Sequence, residues 1–115
     1  MSFEVQSTVS EPIYLFIQSQ GWNCWDSPLP GDVWGWVTPD KPILVDQIAR
    51  KRGHGCDSGP SSFIIAAVSS FGVLQIIICK PEPVLPWEME TKWAGLDPSV
   101  TLTATLDGTL TISKA

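Results

Sequence analysis

The stretch SSFIIAAVSSFGVLQIIICK, residues 61–80, limits the possible folds of this chain more than any other segment. Two runs rich in Ile, Val and Phe flank Ser-Ser-Phe-Gly, and this pattern predicts two strands joined by a tight turn. Apolar residues occupy successive positions instead of alternate ones, so the hairpin is apolar on both faces and central. Something must cover each side of it, and a homodimer is one way of doing so. A helix over residues 61–71 is second choice, since Ala66 and Ala67 permit it. A chain of 115 residues, 43% hydrophobic and only 17% charged, is expected to bury its core as one domain, residues 1–115.

Other elements follow from local signals. In residues 99–115, Val100, Leu102 and Ala104 alternate with threonines, as do Leu110 and Ile112. A three-residue loop, Leu106-Asp107-Gly108, pairs Thr105 with Thr109, Ala104 with Leu110 and Leu102 with Ile112, keeping the apolar residues on one face. Gly108 takes the left-handed position. Residues 85–93 read as an edge strand, with Trp87, Met89, Thr91 and Trp93 facing one way and Glu88, Glu90 and Lys92 the other. Residues 33–37 have a period of two that sets Trp34 and Trp36 on one face.

Two helices are expected. Ser10-Glu11-Pro12 resembles a helix start ahead of the apolar run 13–17, closed by Gly21, with a strand over that run as the alternative. Asp40 can cap a second, with Ile43, Leu44, Val45, Ile48 and Ala49 as its stripe, Arg50, Lys51 and Arg52 in its last turn and Gly53 beyond. The expected fold class is α+β: a single small domain with an antiparallel sheet and one or two helices packed on one face.

The net charge of −5 argues against tracking nucleic-acid phosphates, which needs clustered cations. No apolar run approaches the roughly 20 residues of a membrane span, and the first residues lack the basic flank and apolar stretch of a secretory signal. Three cysteines without close pairing argue against a disulfide framework. A cytoplasmic protein is therefore expected.

The stretch GHGCDSGPSS, residues 53–62, holds the one histidine and the candidates for catalysis: His54, Cys56 and Ser58. Asp57, Ser58, Gly59 and Pro60 resemble part of the signature around the nucleophile of trypsin-like serine proteases. That family has glycine at position 56 and a second glycine after Gly59, and its histidine lies far upstream. A Cys56–His54 pair needs nearby positive charge, which residues 50–52 supply. A zinc site from His54, Cys56, Cys24 and Cys79 has suitable ligand types without the paired spacing of such sites. The bland alternative is a glycine-rich connection. No phosphate-cradling glycine loop and no HExxH is present, so no cofactor or metal is expected. Glu88 and Glu90 share a strand face, as solvated carboxylates do.

Six tryptophans exceed what one small core needs. Trp22, Trp25, Trp34 and Trp36 cluster on a proline-stiffened segment and form the expected binding surface, with Arg50, Lys51 and Arg52 as a second contact. The function this favours is a non-enzymatic interaction or assembly module that binds a partner protein, or itself. A carbohydrate or small-ligand binder using the same rings is the alternative. A hydrolase or thiol enzyme centred on His54 with Cys56 or Ser58 ranks third.

Overall fold

The computed structural model describes residues 3–21, 24–46, 48–51, 53, 56, 61–80 and 87–115. Among these residues there are eleven strands and no helix. The expected α+β class is therefore replaced by an all-β architecture. β1 (Phe3–Ser7), β5 (Ile43–Val45), β10 (Leu102–Asp107) and β11 (Thr109–Lys114) form a four-stranded sheet in the order β10-β11-β1-β5. β2 (Ile13–Gln20), β4 (Val33–Val37), β7 (Ser61–Ser69), β8 (Gly72–Lys80) and β9 (Glu88–Gly95) form a five-stranded sheet in the order β4-β2-β7-β8-β9. β3 (Trp25–Ser27) and β6 (Ala49–Arg50) make a small separate ribbon.

The two large sheets bury one shared core between them, in the manner of a β-sandwich. Val5, Leu102, Ala104, Leu110 and Ile112 from the four-stranded sheet join Ile13, Leu15, Ile17, Phe63, Ile65, Ala67, Leu74, Ile76 and Ile78 from the five-stranded one. Residues 61–80 do form the central hairpin, with Ile65 opposite Ile76 and Ala67 opposite Leu74. β9 is an edge strand, and Glu88, Glu90 and Lys92 are exposed while Met89, Thr91 and Trp93 are half-buried.

The tail hairpin also forms with its apolar residues on one face, but its register differs from the expected one. Ala104 lies opposite Ile112 and Asp107 opposite Thr109, leaving Gly108 alone at the tip with φ 69°. This register is two residues away from the expected one, so the same side chains stay inside.

Both expected helices are strands or turns. In β2 the apolar run has a period of two: Ile13, Leu15 and Ile17 are buried while Tyr14 and Phe16 are half-buried on the other face. Apolar residues on both faces hid that alternation, and Ser10-Glu11-Pro12 merely precedes a strand. At the second site Thr38 and Lys41 close a tight turn. β5 then pairs with β1, with Leu44 67% exposed and Val45 buried. Pro42 costs nothing ahead of this short edge strand. Gly53 does take a positive φ of 77°, but in a turn.

Gly72 sits where β8 meets β9, with φ 143°, and a Cβ placed there would overlap the Ala94 carbonyl. Gly72→Ala is expected to cost roughly 1–3 kcal/mol from backbone strain alone. Urea unfolding checks this, and an unchanged midpoint would contradict the close approach.

Candidate interaction surface

Bringing the expected aromatic cluster to one surface would require Trp25, Trp34 and Trp36 to point the same way, and they do not. Trp25 is fully buried. Its backbone N–H donates to Gln20 Oε1 at 2.9 Å and its Nε1 to the Ser62 carbonyl at 3.2 Å. Its ring stacks on Trp87 at 5.7 Å and meets Phe63 edge-on at 5.1 Å.

Trp34 and Trp36 are separated by a β-bulge. Leu15 faces Gly35 but Phe16 faces Val33, so Trp34 is the extra residue on β4. Gly35, with φ 104°, supplies the positive dihedral that such a kink tolerates. The bulge turns Trp34 inward, against Phe63 at 6.3 Å, while Trp36 remains 61% exposed on the outer face. Trp22 lies outside the described residues.

Cys24 and Cys56 form a disulfide, overturning the expectation from cysteine spacing. The bond removes the Cys56 thiolate on which a thiol enzyme would depend, and it occupies two of the four ligands considered for zinc. His54 and Ser58 lie outside the described residues, as does Arg52. Arg50 packs against the disulfide loop: its Nη2 donates to the Cys56 carbonyl at 2.7 Å and its guanidinium lies over Trp25 at 5.8 Å. Lys51 is half-buried, and its backbone N–H donates to the Cys24 carbonyl at 2.8 Å. These contacts tie β6 to β3 and to the disulfide, while Trp25 joins the ribbon to the sandwich through Gln20 and Ser62.

The surface that the structure does assemble is the outer face of the five-stranded sheet. Tyr14 pairs with Trp36 and Val68, Ile64 with Ile77, and Val68 with Val73. Phe16 lies next to Tyr14 at 6.2 Å, and Tyr14 touches Trp36 at 5.0 Å. Val33 on the same face is 57% exposed. Gln75 donates to Gln18 at 2.9 Å across the middle, and Glu88, Glu90 and Lys92 border the far edge. A solvated antiparallel face normally alternates to polar residues; here Gln18, Gln75 and the charged residues of β9 do so, whereas Tyr14, Phe16, Trp36, Ile64, Val68, Val73 and Ile77 do not. Tyr14 and Phe16 escaped the sequence reading because their segment was assigned to a helix.

At one corner, Glu11, Pro12, Tyr14, Trp36, Val68, Ser69 and Ser70 line an open cleft of about 410 Å³. Cys79 also lies on the outer face, opposite Glu88. Burial and then the Glu88 carboxylate push its thiol up, with a further push from Glu90, and the Arg50 guanidinium opposes them. It is thus protonated at neutral pH and a poor nucleophile. Among the described residues no three His, Cys, Asp or Glu side chains converge to hold a metal. No helix among them is long and apolar enough to cross a membrane. No family model, curated protein or solved structure matches the chain.

Proposed function

We propose that this protein is an interaction module that binds a partner protein through the outer face of its five-stranded sheet. The observation that carries the reading is the apolar outer face itself: Tyr14, Phe16, Val33, Trp36, Ile64, Val68, Val73 and Ile77 stand where a solvated sheet would carry polar side chains. Five strands at about 4.8 Å spacing and eight residues at about 3.3 Å make a face on the order of 500 Å². Its apolar part, without the charged β9 edge, falls within the range of large surface patches that mark interaction sites.

Charge favours a different protein over a second copy. Glu11, Glu88 and Glu90 border the face beside Lys92, and the chain carries −5 overall, so two copies face to face would oppose like charges. The Cys24–Cys56 bond favours folding in an oxidising compartment, against the cytoplasmic expectation.

Capture from cell lysate and culture fluid, with wild type beside Val73→Lys/Ile77→Lys, tests the reading. Both positions are half-buried and lie on the outer face, so the circular dichroism of the variant should match wild type. Loss of a partner retained by wild type is the expected result. Retention of the same proteins by both would overturn the assignment of the face.

A further inference from the structure

We infer that the open cleft lined by the Trp36–Tyr14 ring pair and Glu11 receives the lysine or arginine side chain of a basic partner; this rests on the reading of the outer face as a protein-binding surface. The two rings are 5.0 Å apart and inclined at 59°. Trp36 is 61% exposed, so the touching pair forms one aromatic wall of the open cleft. The faces of aromatic rings are negative and attract cations most strongly when the ring is Trp. Glu11 lines the same cleft and adds a full negative charge.

The rest of the molecule shows what this aromatic wall lacks. Arg50 lies over Trp25, Lys80 Nζ over Trp87 at 4.9 Å and Lys114 Nζ over Phe71 at 5.1 Å. Those rings are supplied with cations from within the chain. The described residues lining the Trp36–Tyr14 cleft include an acid and no Lys or Arg. Its volume of about 410 Å³ lies within the ordinary range of small ligand sites, roughly 300–1,000 Å³. An incoming ammonium or guanidinium completes the arrangement the chain builds for itself elsewhere.

A sugar ring is the less suitable occupant. Stacking a pyranose favours one open platform with several hydrogen-bonding groups around it, and here the second ring is tilted into the space. The Ser69 hydroxyl is already engaged, donating to the Gly72 carbonyl at 3.2 Å and accepting the Phe71 N–H at 3.2 Å. The remaining polar groups of the lining are those of Glu11 and Ser70, the Tyr14 hydroxyl and the Trp36 Nε1–H.

The test uses blocked tripeptides Gly-Lys-Gly, Gly-Arg-Gly and Gly-norleucine-Gly, followed by the backbone amide signals of Val68 and Ser70. The Lys and Arg peptides should shift both amides saturably and bind at least about fivefold more tightly than the norleucine peptide, which is the uncharged isostere. Trp36→Leu should abolish that preference, and Glu11→Gln should weaken only the charged peptides, by about two- to fivefold. Equal binding of norleucine, tighter binding of N-acetylglucosamine at the same amides, or no shift with any peptide would each overturn the inference. None of these results depends on Val73 or Ile77, so a face that fails and a cleft that fails are told apart.

Discussion

Replacing Trp25 with alanine is expected to destabilise the fold by about 3–5 kcal/mol, the range for deleting a large aromatic side chain from a core. Trp25 is 0% exposed and stacks on Trp87, so truncation leaves one face of Trp87 and the edge of Phe63 without contacts. It also removes the ring beneath Arg50 and the hydrogen bond to Ser62. Small domains are stable by only about 5–15 kcal/mol in total, and the variant should therefore unfold at much lower urea. Trp36→Ala, from a ring 61% exposed, should move the midpoint only slightly, surface changes lying mostly within about 0.5 kcal/mol. Equal losses from the two variants would contradict the assignment of one ring to the core and the other to the surface.

The second large effect concerns Cys24 and Cys56, which are 32 residues apart. Closing a loop of that length restricts the unfolded chain by about 3–4 kcal/mol in the chain-entropy description. The double variant Cys24→Ala/Cys56→Ala should lose stability of that order, and a reductant should do the same to wild type but nothing further to the variant. Thiol titration of the unfolded, unreduced protein should find Cys79 alone. Three titratable thiols, or a reductant-insensitive wild type, would contradict the disulfide and the oxidising compartment together.

Legibility in the sequence followed periodicity. Residues 61–80 and 99–115 alternate or run apolar between clear turn residues and form two hairpins, and the edge strand expected over 85–93 overlaps β9 (Glu88–Gly95), residues 85 and 86 lying outside the described ones. Ile13 to Ile17 misled because its outward positions are Tyr14 and Phe16, so no polar residue marks the second face. The same two residues build the exposed surface, which means that the feature concealing the strand is the one that carries the proposed function. Residues 40–53 carried capping residues and terminal cations, signals that a turn, a short edge strand and a ribbon satisfy as well. The alternation of residues 33–37 put Trp34 and Trp36 on one face and could not single out the exposed ring, because the bulge at Gly35 turns Trp34 inward and leaves Trp36 outside. The disulfide could not be read because spacing along the chain says nothing of how a ribbon brings positions 24 and 56 together.

The parallel pairing of β1 with β11 sets Val5 beside Leu110, 105 positions away along the chain. β1 also lies between β11 and β5, so the middle of that sheet is joined by the two segments made farthest apart in time. During synthesis the early strand waits, its core-facing Val5 unprotected, until β11 has been made. Assembly dominated by such distant pairings is slow, on the order of milliseconds to seconds. Throughout that interval the five-stranded sheet has both of its apolar faces open, and a cell producing this protein must keep the inner one from being taken for the outer.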